Sequence, residues 1–137
     1  MPTTSYSVAV IEDNEDNTLV IGFCLEEIGV SYGTHASGSD FFNAASIDFH
    51  KIDLILLDIN IPLENGFQIL GRLRSDPRFS ATKIVALTAD PDQETEERAY
   101  QAGFDGFLQK PIILDQFPHD VQSILQGDRI WQGSLYQ

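Results

Sequence analysis

Five polar residues stand where apolar runs stop. Glu12 and Asp13 follow Tyr6–Ile11, and Asp58 follows the aliphatic stretch Leu54-Ile55-Leu56-Leu57. Thr88 follows Lys83–Leu87, and Lys110 follows Gly106–Gln109. Each has a bland explanation alone: a solvated helix start, a loop acid, a strand-end hydroxyl, a surface cation. As one set they describe a chemistry. Three carboxylates brought together repel and raise one another's pKa, a penalty that a purely structural site has no reason to carry. A hard divalent cation such as Mg2+ (or Mn2+) removes the repulsion, because oxygen-rich sites of this kind suit it. A lysine and a hydroxyl beside it would neutralise, and hydrogen-bond to, the oxygens of an incoming phosphoryl group. One carboxylate could then act as nucleophile and become an aspartyl phosphate.

Whether the five meet depends on the elements that carry them. Tyr6–Ile11, Asp53–Leu57 and Lys83–Leu87 read as strong buried strands, Val30–Ala36 as a weaker one and Gly106–Gln109 as a short last one. Ile21, Cys24, Leu25 and Ile28 fall on one face of a helix, with Gly29 as its cap and Cys24 as a small buried hydrophobe. Ser39 and Asp40 can cap a second helix over Phe41–Phe49, and Gly66–Arg74 reads as a third, stopped at Asp76-Pro77. In Asp90-Pro91-Asp92-Gln93, Asp90 suits an N-cap, Pro91 the first turn and Gln93 a capping box, giving a helix that runs to Ala102 and is capped by Gly103. Leu114–Leu125 is the fifth. Five strands alternating with helices predict a parallel sheet covered on both faces. In such a sheet ligands sit beyond the carboxyl ends of the strands, so the five residues converge on one rim.

The chain has 137 residues, enough for one domain with its own core. Eight Lys and Arg against 21 Asp and Glu give a formal charge of −13. That balance argues against nucleic acid and anionic membranes, which need clustered cations, and suits metal cations or basic partner surfaces. A single cysteine excludes an intrachain disulfide and fits a reducing compartment. The opening MPTTSYS has no signal-peptide pattern, and no apolar run approaches the roughly 20 residues of a membrane span. A cytoplasmic location is therefore expected.

The motifs VAVIEDNEDN, LILLDINIPLENG, IVALTAD and FLQKP, in this order and spacing, resemble the receiver domain of two-component response regulators. The likeness spans residues 5–126, leaving 127–137 as a short tail with no output domain. It implies a flavodoxin-like, doubly wound fold with strand order 2-1-3-4-5. It further implies that Asp58 is the phosphoacceptor, supplied by a histidine kinase or a histidine phosphotransfer protein. Glu12, Asp13 and Asp58 would hold the metal with the backbone carbonyl of Asn60. Thr88, Ala89 and Lys110 match phosphoryl-contacting positions, and Ala89, being small, would leave the site open. Thr88 and Phe107 match the switch pair: movement of Thr88 would let the Phe107 ring turn inward and repack the face of the fourth helix, fifth strand and fifth helix. Lys110-Pro111 resembles a pair whose peptide bond is usually cis in the family. Pro62 and Gly66 would shape the loop after Asp58.

Phe23 lies beside the buried stripe of the first helix, where receivers similar to this one dock their phosphodonor, and is a candidate donor contact. The tail carries Ile130, Trp131, Leu135 and Tyr136, which could pack on the domain or meet a partner or a second copy. The expected function is a stand-alone phosphorylation switch or relay that catalyses only its own phosphorylation and dephosphorylation. It would act on a downstream target, and a phosphorylation-dependent dimer is compatible with it. Two alternatives compete: an Asp-nucleophile phosphatase or phosphotransferase, and a receiver-like interaction domain that is not phosphorylated. The former class carries a second acid two residues after the nucleophile, where this chain has Asn60.

Overall fold

The computed structural model describes residues 6–44, 51–61, 64–90 and 92–136. Strands β1 (Ser7–Ile11), β2 (Ser31–His35), β3 (Leu54–Asp58), β4 (Lys83–Thr88) and β5 (Gly106–Gln109) form one sheet in the order β2-β1-β3-β4-β5. All four pairings are parallel, as the alternating pattern predicts. Helices α1 (Glu15–Glu27), α2 (Gly38–Phe42), α3 (Gly66–Arg74), α4 (Gln93–Ala102) and α5 (Phe117–Leu125) lie on its two faces, with a 3-10 turn at Pro77–Phe79.

Side chains alternate across a strand, and β3 shows the consequence. Leu54 and Leu56 join Val8, Val10, Val85 and Leu87 in one core, covered by α1 and α5. Ile55 and Leu57 join Ile11, Ile84 and Ala86 in the other, beneath α2, α3 and α4. Every residue of β3 is buried. Asp58 therefore ends a strand clamped on both faces and paired on both edges.

Three helix starts differ from the sequence reading. Ser37, not Ser39 or Asp40, caps α2, accepting the N–H of Asp40. That helix closes at Phe42, and 45–50 lie outside the described residues. Asp92, not Asp90, caps α4, because its side chain accepts the N–H of Thr95 at 2.8 Å. The Asp90 N–H is instead donated to the Thr88 hydroxyl. Helix α5 starts at Phe117 rather than Leu114, with Pro118 in its first turn, where a missing N–H does no harm. Pro62 and Pro91 lie outside the described residues.

The tail packs on the domain. Trp131 forms a parallel bridge with Phe107 and is almost fully buried beside β5. Among the described residues, no helix is long and apolar enough to cross a membrane.

Candidate functional site

The end of β1 carries Glu12 and Asp13, and the end of β3 carries Asp58. Carboxylate oxygens from all three lie within 4.8 Å of one another. Glu12 and Asp58 are 3% and 2% exposed, whereas Asp13 faces solvent. Lys110 follows β5, and its Nζ donates to Glu12 Oε1 and to Asp58 Oδ2, each at 3.1 Å. Two acids and a cation from three separate strands thus meet at the predicted rim. The second Asp58 oxygen, Oδ1, accepts the Asn60 N–H at 2.9 Å, and Glu12 Oε2 accepts the Asn14 N–H at 3.1 Å. The Lys110–Pro111 bond is cis.

Glu12 carries an electrostatic penalty, from burial first and from its acidic neighbour second. Burial, then contact with the Asp58 carboxyl, pushes the Glu12 pKa from 4.5 up to about 7, against the opposing pull of Asn14 and Lys110. For Lys110, burial works downward, but attraction to Asp58 and Glu12 outweighs it and holds its pKa above the usual lysine range. One ammonium does not balance three clustered carboxylates, and a divalent cation fits what is missing: hard oxygen donors, one of them open to water.

Thr88 is fully buried at the end of β4, and its Oγ1 accepts the Asp90 N–H at 2.9 Å. Ala89 and Asn60 are exposed. Gly66 explains how the chain leaves Asp58. Its N–H donates to the Ile59 carbonyl at 2.9 Å, and a Cβ at this position would lie 2.7 Å from Ile59 Cα and 2.9 Å from Asp58 O. Only glycine lets α3 begin that close to the strand end. Phe107 is already 0% exposed, with Trp131 stacked on it at 5.8 Å between centroids. The ring is enclosed by the tail, a contact that the sequence reading did not assign.

Beside Glu12 and Asp13, a cleft of about 410 Å³ opens between the β1–α1 turn and the end of β2, lined also by Leu19 and His35. Leu19 and Phe23 are 72% and 63% exposed on α1. They stand four residues apart, hence on one helix face. The sequence reading singled out Phe23 and missed Leu19, although the i, i+4 spacing off the buried stripe was the available signal.

A family model for the response regulator receiver domain matches residues 8–122. The chain belongs to this family. The receiver domain is 32% identical over 122 residues to the polar-differentiation response regulator DivK of Brucella ovis, covering 89% of this chain and 97% of that protein. It also resembles a solved response regulator from Thermotoga maritima, with a TM-score of 0.78 at 24% identity, covering 90% and 99% of the two chains. The receiver domain of the sensor histidine kinase PA1611 from Pseudomonas aeruginosa, solved with a magnesium ion in its active-site cleft, gives a TM-score of 0.74 at 29% identity over 89% and 95%. The protein is thus a receiver of two-component signalling, a family of phosphoacceptor switches that work with histidine kinases and downstream targets.

Proposed function

We propose that Asp58 is the phosphoacceptor of this receiver, and that residues 5–126 act as a cytoplasmic phosphorylation switch or relay. The observation that carries this reading is the ion cluster Glu12–Lys110–Asp58 at the sheet's rim. Asp58 is the member that ends the fully buried central strand, with its two oxygens held by Lys110 Nζ and by the Asn60 N–H.

In the proposed transfer, a carboxylate oxygen of Asp58 forms a bond to phosphorus as the P–N bond of a donor phosphohistidine breaks. The electron pair of that bond stays on the imidazole nitrogen. Lys110 needs little movement to meet the new phosphoryl oxygens, since its ammonium already touches Asp58. Thr88 sits one residue beyond the partner of Asp58 in the β3–β4 register, where its hydroxyl can donate to the same group. Ala89 leaves the approach open. Glu12, Asp13, Asp58 and the Asn60 carbonyl are the proposed Mg2+ ligands. When bound, the ion would offset charge on the acids and on the transferring oxygens. Leu19 and Phe23 form the proposed donor-docking face on α1, beside the cleft that leads to the acids. An Asp-nucleophile phosphatase is disfavoured by Asn60, which offers no acid two residues after Asp58.

The test is intact mass after incubation with Mg2+ and acetyl phosphate. The expected result is one phosphoryl adduct, absent in Asp58→Asn. An adduct that persists in that variant, or rapid turnover of phosphate esters with no adduct, refutes the assignment.

A further inference from the structure

The segment beside β5 is held by groups that the acid cluster does not use. Helix α4 reads QETEERAYQA, and its buried positions are only Glu96 and Ala99. So polar a helix has little apolar surface with which to hold β5. The tail supplies it: Trp131 stacks on Phe107, and Tyr136 stacks on Tyr100 at 3.9 Å between centroids. Glu96 is 0% exposed, and its two oxygens accept the N–H groups of Leu135 at 2.9 Å and Tyr136 at 3.2 Å. The Tyr136 hydroxyl also donates to Glu97. A buried carboxylate on one element satisfied by amides of another is a built contact, since separating them without water leaves both sides unpaired. Gly133 completes it, because any Cβ there would overlap the Glu96 carboxylate.

The tail and the acid cluster also meet on consecutive residues. Gln109 donates its N–H to Gln132 Oε1 at 2.8 Å and its Nε2 to the Gln132 carbonyl at 2.6 Å. Lys110, the next residue, reaches Asp58 and Glu12, and its N–H donates to the Thr88 carbonyl at 2.8 Å. Phe107 donates its N–H to the Ile130 carbonyl and accepts the Gln132 N–H. A backbone shift of Lys110 toward a phosphoryl group on Asp58 would pull on the end of β5, the strand to which the tail is bonded. The tail meanwhile fills the outer edge of β5 like a sixth strand, blocking strand addition by another protein.

We propose that the β5 edge and its α4 flank form a strand-binding surface whose occupant is Ile130–Tyr136 of this chain, and that phosphorylation of Asp58 releases this occupant. The proposal rests on Asp58 being the phosphoacceptor. Linkage makes it reciprocal: loosening the tail must tighten binding of a phosphoryl mimic by the same factor.

Trp131 is the single tryptophan of the chain, so its emission reports the tail directly. The full chain is treated with Mg2+ and acetyl phosphate while intact mass, tryptophan emission and amide exchange are followed. As the adduct forms, emission should move toward that of a water-exposed indole. Exchange at Gln132, Leu135 and Tyr136 should quicken about fivefold or more, the low end of ordinary coupling. Gly133→Ala, and the milder Gln132→Ala, should produce the same changes without acetyl phosphate and tighten beryllofluoride binding by the same factor. Circular dichroism checks that both variants fold. Full adduct with unchanged emission and exchange overturns the proposal but leaves Asp58 as acceptor. So does a freed tail in the variants with unaltered beryllofluoride affinity. No adduct and no beryllofluoride binding overturn the Asp58 assignment, and the proposal with it.

Discussion

Replacing Glu12 by Gln should make the metal-free protein more stable at and above neutral pH while depriving it of Mg2+ binding. Glu12 is buried, and burial followed by the Asp58 carboxyl lifts its pKa from 4.5 to about 7. The unfolded chain releases this proton near 4.5, whereas the folded protein keeps it to about 7. Between those values the folded state binds more protons, so wild-type stability falls as pH rises through the interval and stays lowered above it. At about 1.4 kcal/mol per pH unit, the ceiling on this loss is about 3 kcal/mol. Gln carries no charge at any pH and retains an oxygen for the Asn14 N–H, but it gives up ionic attraction to Lys110. The net gain expected at pH 8 is about 1–3 kcal/mol, shrinking to near zero below pH 4.5. For a domain of this size, about 2 kcal/mol raises Tm by about 6 °C. The assay is urea unfolding of both proteins in EDTA at pH 5 and pH 8, repeated with saturating Mg2+. Added Mg2+ should stabilise the wild type more than the variant, narrowing the gap. A variant less stable than wild type at pH 8 in EDTA, or a gain that ignores pH, would refute the reasoning.

The same proton predicts how metal affinity follows pH. Below about 7 a bound cation must displace it, so Mg2+ affinity should fall about tenfold per pH unit there and level off above pH 8. Calorimetry in buffers of different ionisation enthalpy should then detect about one proton released below pH 7 and none at pH 8.5. Gly66→Ala drives a Cβ into the backbone at Ile59 and Asp58 and should cost about 2 kcal/mol in urea unfolding. Gly71→Ala, at an exposed α3 position with nothing within 4 Å of its Cβ, should instead gain up to about 1 kcal/mol. Phe23→Ala should slow phosphoryl transfer from a cognate histidine donor about tenfold, a typical loss for an exposed anchor residue, yet leave acetyl phosphate labelling unchanged. Equal slowing of both would remove Phe23 from the docking face.

The rim was legible because it depends on where strands end. β1, β3 and β4 are continuous apolar runs, and the first polar residue after each is set by the run itself. Helix starts were less legible because several residues compete to cap. The stretch from Asp90 to Asp92 offers two aspartates, and the choice fell to Asp92, whose carboxylate reaches Thr95 N–H, while the Asp90 N–H turned to Thr88. The α5 start was written in Pro118, whose place in the first helical turn marks the boundary. The tail was the least legible part. Its aromatic residues were visible, but its site is made by Glu96, a glutamate in a run of polar helix residues that sequence periodicity assigns to solvent. Only the tertiary fold puts that carboxylate against two backbone amides of a segment about 40 residues away.

These features bear on how a charge at the rim could act at a distance. β3 has no slack: all five residues are buried, and its neighbours on both sides are full strands. Relief of the repulsion among Glu12, Asp13 and Asp58 therefore has little to move at the centre of the sheet. β5 is different. It is four residues long, β4 is its one neighbour in the sheet among the described residues, and the tail lies along its outer edge. Lys110, the cation of the cluster, follows this edge strand rather than the central β3. A free-energy change at Asp58 is thus delivered through Lys110 to an edge strand with one neighbour in the sheet. Packed interiors respond as discrete alternatives rather than by gradual deformation. On that logic the segment held by Glu96 and Gln109, and not the sheet, is the part of the molecule with two stable arrangements to choose between.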